Sequence, residues 1–220
     1  TRPNTGYAIA LNEMLRLAQG EFIARMDADD IALPERFSRQ LEFLRQHPNV
    51  VCVGGCHDLI DHRGRFLTHL PLPLSNHEIQ REALSGHGSI CHLDLWLKLG
   101  EIGELANLNI SVLQYRLHPN SVSETTCKIQ RQQAYLACQK AWQRRGIEGK
   151  FEAGDPWRPG ADRHSRHQFM LQYGWWAFNS RQRQTAMIYS AKAIQARPLQ
   201  PDGWKLLACA LLKSPQTDTT

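Results

Sequence analysis

Apolar residues recur at helical spacing from Tyr7 to Ala18, through Ile9, Leu11, Met14 and Leu15, and Gly20 follows as a stop. Glu21 to Met26 is a short apolar-rich run that predicts a buried strand, and it leads straight into Asp27-Ala28-Asp29-Asp30. Pro34 suits the first turn of a helix carrying Phe37, Leu41 and Leu44 to His47, where Pro48 ends it. Val50 to Val53 predicts a strand closed by Gly54-Gly55. Asp58 to Ile60 and Phe66 to His69 flank a polar His62-Arg63-Gly64 turn and predict a hairpin. Ser75 and Glu78 have the spacing of a capping box, which opens a helix to about Leu84. Leu93 to Leu99 predicts a helix with Leu95, Leu99 and Ile102 on one side, and Ile110 to Tyr115 a strand.

The texture changes after Pro119. Residues 126–145 predict a long amphipathic helix, and Glu152 to Arg163, rich in Pro and Gly, a linker. Three helices follow, at about 164–178, 181–196 and 202–213, the last two resembling one helix-turn-helix unit of a TPR-like repeat. Alternating strands and helices through residue 116 imply an α/β layer structure, and the all-helical remainder a separate appendage. The expected organisation is 1–125 for the α/β domain, 126–163 for the amphipathic helix and linker, and 164–220 for the helical C-terminal region.

Charge divides along the same line. The chain of 220 residues carries a net charge of +5, but residues 1–125 hold 11 basic and 15 acidic side chains, and residues 126–220 hold 15 basic and 6 acidic. An acidic front suits a cation or sugar site. A basic back suits an anionic partner or is a solvated helix face. No nucleic-acid-binding motif accompanies it, so no nucleic acid is expected. Peripheral contact with an anionic membrane is a further expectation, although Arg181, Arg183 and Lys192 form no true polybasic cluster. No apolar run approaches the ~20 residues that a membrane-spanning helix needs. The six cysteines form no CxxC pair, and buried free thiols in a cytoplasmic setting are the default.

Asp27-Ala28-Asp29-Asp30 is the most informative segment. Three carboxylates within four residues repel one another unless a cation sits among them. Oxygen ligands at this density suit Mg²⁺ or Mn²⁺, which share their coordination with substrate phosphates. An acidic helix start ahead of Pro34 is the alternative.

The run Asn4-x-Gly6 to Asn12, then Gly20 to Arg36 through Asp27-Ala28-Asp29-Asp30, then Gln40, closely resembles the family 2 glycosyltransferases of the GT-A fold. Val53-Gly54-Gly55, Asp94-Leu95-Trp96 and Tyr115-Arg116-Leu117-His118-Pro119-Asn120 resemble it in the same order, over residues 4–125. The resemblance implies a partial, Rossmann-like GT-A domain followed by an all-α region. It implies transfer of a sugar, with inversion, from a nucleotide-diphospho-sugar donor to a glycan or lipid-linked acceptor, in cell-surface polysaccharide synthesis. Asn4, Gly6, Asn12, Arg25 and Asp27 match the nucleotide-sugar side of the site. Asp27, Asp29, Asp30 and His118 match the metal side, with the choice between Asp29 and Asp30 left open. A cytoplasmic location, peripheral at the inner membrane face, goes with such acceptors.

Two departures temper the resemblance. Family members begin with a strand and a Pro-x-Tyr-Asn-like turn that binds the base, and neither precedes Asn4 here, so an N-terminal truncation is expected. Ser89-Ile90-Cys91-His92 runs directly into Leu93-Asp94, where the family has an acceptor loop ending in an acidic pair, so an internal deletion is expected too. Asp94 is the next carboxylate and the weak candidate for the catalytic base, while His92 occupies the position before Leu93. The alternative to an active enzyme is a degenerate, non-catalytic relative or gene fragment that acts as an interaction module.

Overall fold

The computed structural model describes residues 7–87, 92–117, 127–153 and 162–213. Within them the elements run α1 (Tyr7–Leu17), β1 (Ile31–Ala32), α2 (Arg36–Gln46), β2 (Val50–Asp61), β3 (Phe66–Leu70), α3 (Asn76–Leu84), α4 (Leu93–Ile102) and β4 (Glu104–Leu117). Four helices follow: α5 (Cys127–Arg145), α6 (Arg163–Asn179), α7 (Arg183–Ala196) and α8 (Pro201–Leu212). One mixed four-stranded sheet has the order β1-β4-β2-β3. β2 and β4 are parallel, joined by a crossover through β3, α3 and α4, and β1 and β3 lie antiparallel on the two edges.

Local signals place several elements as expected. Ser75 Oγ accepts the Glu78 amide and the Glu78 carboxylate accepts the Ser75 amide, so the capping box opens α3. Gly64, at φ 78°, supplies the left-handed turn between β2 and β3. Pro201 stands in the first turn of α8.

Four expectations change. Residues 21–26 form no strand: no described strand pairs with them, and Phe22, Ile23 and Met26 remain exposed. An apolar run becomes a strand only when a neighbour takes up its backbone hydrogen bonds. Gly54-Gly55 does not close a strand but lies inside β2. A Cβ on Gly54 would sit 2.2 Å from Asn107 Oδ1, and one on Gly55 2.7 Å from Val112 Cγ1, so glycine admits β4 at an irregularity in the ladder. In α4 the buried residues are Leu93 and Leu97, with Leu95 and Ile102 exposed.

The fourth change concerns the helices after residue 126, which are no separate appendage. Leu59 of β2, Leu67 of β3 and Leu117 of β4 share one core with Tyr173, Ala177 and Phe178 of α6, Ala186 and Tyr189 of α7, and Leu206 and Ala210 of α8. A second core joins Ala83 of α3 and Leu93 and Leu97 of α4 to Ala134, Ala137, Cys138 and Ala141 of α5. Small residues on α5 let its backbone approach closely, and Arg144 and Arg145 both clasp Glu101 at the end of α4. Trp142 Nε1 donates to the Leu84 carbonyl at 3.0 Å. Cys56 and Cys138 are buried free thiols, and Cys52 and Cys209 are also unpaired. Burial pushes the Cys52 and Cys138 thiols up to about 11, which keeps them protonated and inert. No helix among the described residues is long and apolar enough to cross a membrane.

Candidate functional site

The acidic segment forms a turn that leads into β1. The Asp30 amide donates to the Asp27 carbonyl at 3.4 Å, and β1 then pairs Ile31 with Gln114 and Ala32 with Leu113 of β4. Arg116, near the carboxyl end of β4, holds the turn. Its amide donates to Asp30 Oδ1 at 3.0 Å, its Nε to the Asp29 carbonyl at 2.8 Å, and its Nη1 to the Asp61 carbonyl at 3.4 Å. Arg25 Nη2 donates to Asp27 Oδ1 as an ion pair.

Arg36 closes the turn from α2 and is only 8% exposed. Its Nη2 donates to the Arg25 carbonyl at 2.7 Å and its Nε to Gln40 Oε1 at 3.2 Å, and Nη1 finds no hydrogen-bond acceptor among the described residues. Burial lowers the Arg36 pKa and Arg25 adds to that, against the opposing pull of Asp30. Asp30 is pushed up to about 6, by burial first and then by the charges of Asp29 and Asp27, despite the bond from the Arg116 amide.

This donor set fits a hard divalent cation. Among the described residues no three His, Cys, Asp or Glu side chains form a ready-made cage. Mg²⁺ and Mn²⁺ ordinarily take only one or two protein carboxylates and fill the remaining positions with water and phosphate oxygens. A cation here would offset the charges of Asp29 and Asp27, which add to the burial that raises Asp30.

The other sequence candidates are placed as follows. Asn12 is exposed on α1, whose apolar residues Met14 and Leu17 are exposed as well. Asn4, Gly6 and His118 lie outside the described residues. Asp94 Oδ2 accepts from Lys98 Nζ at 2.6 Å, and its charge is felt by Arg144 of α5. His92 is the residue of this segment that feels Arg25 and Asp27. It is buried, with its ring edge-on to Trp96, and its pKa is lowered by burial and then by Arg25.

Arg36 and Arg116 are the residues that motif reading left without a role. The orphaned Nη1 of Arg36 is invisible in sequence, and the bonds of Arg116 to the acidic turn span more than 80 positions. Of the tail cations, Arg183 donates to the Ala210 and Leu211 carbonyls at the end of α8, and Lys192 lies 4.5 Å from the Tyr189 ring centroid. Two surface hollows of about 370 and 330 Å³ lie beside Tyr135 and Phe151 and beside Ser85 and His87, away from the acidic turn.

Comparison with known proteins adds a lineage to this geometry. Residues 1–97 match the family described as Glycosyl transferase family 2. The chain is 30% identical over 145 residues to the amylovoran biosynthesis glycosyltransferase AmsE of Erwinia amylovora, covering 55% of this chain and 54% of that one. It is 29% identical to the putative glycosyltransferase EpsE of Bacillus subtilis, over 54% of this chain and 51% of that one. It is 28% identical to the O-antigen biosynthesis glycosyltransferase WbnJ of Escherichia coli, over 60% and 59%. The matched stretch thus spans little more than half the length of these relatives.

Proposed function

Because residues 1–97 belong to glycosyl transferase family 2, we propose that the protein transfers a sugar from a nucleotide-diphospho-sugar to a glycan or lipid-linked acceptor in cell-surface polysaccharide synthesis. Relatives named for amylovoran and O-antigen biosynthesis support that setting. The observation that carries the proposal is the carboxylate turn Asp27–Asp30 pinned to the end of β4 by Arg116. Ligand sites of parallel α/β sheets lie at the carboxyl ends of strands.

In this reading Asp27, Asp29 and Asp30 hold Mg²⁺ or Mn²⁺ with the donor's diphosphate, and His118 is a further candidate ligand. The ion, when bound, stabilises the leaving diphosphate. Arg36 adds the positive charge of its guanidinium next to the turn, through its bond to the Arg25 carbonyl and its pull on Asp30. An acceptor hydroxyl attacks the anomeric carbon and gives its proton to a carboxylate, the bond from that carbon to the phosphate oxygen breaks, and the nucleoside diphosphate leaves with inversion at the sugar.

One observation favours the second reading, a non-catalytic relative. The sequence candidate for the base, Asp94, gives its carboxylate to Lys98 on the outer side of α4. Turnover separates the two. Incubation with UDP- and GDP-sugars and Mn²⁺ is expected to release nucleoside diphosphate at a rate that Asp29→Ala abolishes. Binding of the nucleotide without any turnover supports the non-catalytic reading.

A further inference from the structure

The last turn of β4 faces two ways. Tyr115 and Leu117 pack into the core that α6, α7 and α8 form with the sheet, Leu117 being 3% exposed. Residues alternate across a strand, so Arg116 between them projects to the opposite side, where its guanidinium meets the acidic turn. Leu117 and Tyr115 therefore fix the backbone from which Arg116 reaches out.

A second connection runs through polar groups. Tyr189 of α7, 2% exposed, donates its hydroxyl to Asp61 Oδ2 at 3.0 Å. The Asp61 carbonyl accepts from Arg116 Nη1, and Arg116 Nε and its amide go to Asp29 and Asp30. The acidic turn is also tied by the two-residue pairing of β1, the Leu33 amide bond to the Val112 carbonyl, the Arg25–Asp27 ion pair and the Arg36 bond to the Arg25 carbonyl.

We propose that Arg116 is the positioning residue of the acidic turn, and that through it the packing of the C-terminal helices sets the geometry of that turn. The consequence for sugar transfer rests on the reading of the turn as a donor site; the coupling itself does not. The guanidinium suits the task because its separate N–H groups reach two carbonyls, on Asp29 and Asp61, at once. A lysine ammonium would place the charge without that fork. Arg116 touches no reacting atom in this scheme: its guanidinium holds the Asp29 and Asp61 backbone carbonyls and its amide holds Asp30 Oδ1, so it acts through the position of the turn.

The test uses the full chain and two substitutions, Arg116→Lys and Tyr189→Phe. The first keeps the charge, and the second removes one hydroxyl far from the turn. Hydrogen exchange read by mass spectrometry reports residues 27–33 and α6–α8 separately, and Mn²⁺ titration by electron paramagnetic resonance reports the carboxylates. Arg116→Lys is expected to speed exchange in 27–33 by about tenfold and weaken Mn²⁺ binding by a similar factor, with α6–α8 unchanged. Tyr189→Phe is expected to speed exchange in 27–33 by a smaller factor, and the double variant to show less than the product of the two effects.

Exchange in 27–33 that is unchanged in Arg116→Lys overturns the proposal. So does a Tyr189→Phe response confined to α7, or effects that multiply independently. Wild-type protein that shows the coupled exchange but binds neither Mn²⁺ nor nucleotide supports the coupling and refutes the donor-site reading.

Discussion

Replacing Asp61 by alanine should cost the protein a large part of its stability. Asp61 is 1% exposed and accepts four hydrogen bonds: from the Arg63 amide at 2.8 Å, the Arg65 amide at 3.0 Å, Arg65 Nε at 2.8 Å and the Tyr189 hydroxyl at 3.0 Å. Removing one partner of a buried ion pair costs about 3–5 kcal/mol. Arg65 keeps 24% of its side chain exposed and can turn to water, which places the expected loss at the lower end, about 3 kcal/mol. For a chain of this size that corresponds to a fall in Tm of about 6–12 °C.

The pH dependence gives an independent check. Burial alone would raise the Asp61 pKa, but the bonds from Arg65, Arg63 and Tyr189 outweigh it and hold the pKa below the ordinary 3.8. A depressed carboxylate contributes stability above 3.8 and loses it as pH falls through its folded value. Urea unfolding followed by circular dichroism should therefore show wild type and Asp61→Ala far apart at pH 7 and converging below about pH 3.8. A loss under about 1 kcal/mol at pH 7, or a gap that does not change with pH, would refute this reasoning.

Asp30 runs the other way. Its pKa is raised to about 6, so its ionisation weakens the fold as pH rises through that value. Asp30→Asn should stabilise the metal-free protein by about 1 kcal/mol at pH 7.5, once the shift is discounted for solvent, and by nothing at pH 4, as thermal melts at the two pH values would register. Gly55→Ala should cost about 1–3 kcal/mol in urea titrations, because its Cβ would press on Val112 at 2.7 Å. Leu206→Ala, at a fully buried site shared by α8 and the sheet, should lower stability by about 2–5 kcal/mol. It should do so in one transition seen alike by helix and sheet probes; two separate transitions would contradict the shared core.

Local chemistry was legible in the sequence wherever a few neighbouring residues decide the structure. The Ser75–Glu78 box and the Gly64 turn each act within a span of four positions. Features that depend on distant partners were misread. The apolar run 21–26 has strand composition, yet composition supplies no neighbouring strand. Gly54-Gly55 reads as a stop, whereas its reason is the side chains of Asn107 and Val112 some 50 positions away. The tail reads as an independent helical unit because its contacts with Leu59, Leu67 and Leu117 leave no periodic trace of their own. The acidic turn stood out from its charge density alone, while the roles of Arg36 and Arg116 required the fold.

Isothermal titration of UDP and GDP into the protein, with and without Mn²⁺, tests the central claim most directly. The account predicts that one of the two nucleotides binds only when Mn²⁺ is present, and that Asp29→Ala and Asp30→Ala, each folded by circular dichroism, abolish that binding. Binding that ignores Mn²⁺, that survives both substitutions, or that is absent for both nucleotides would contradict it.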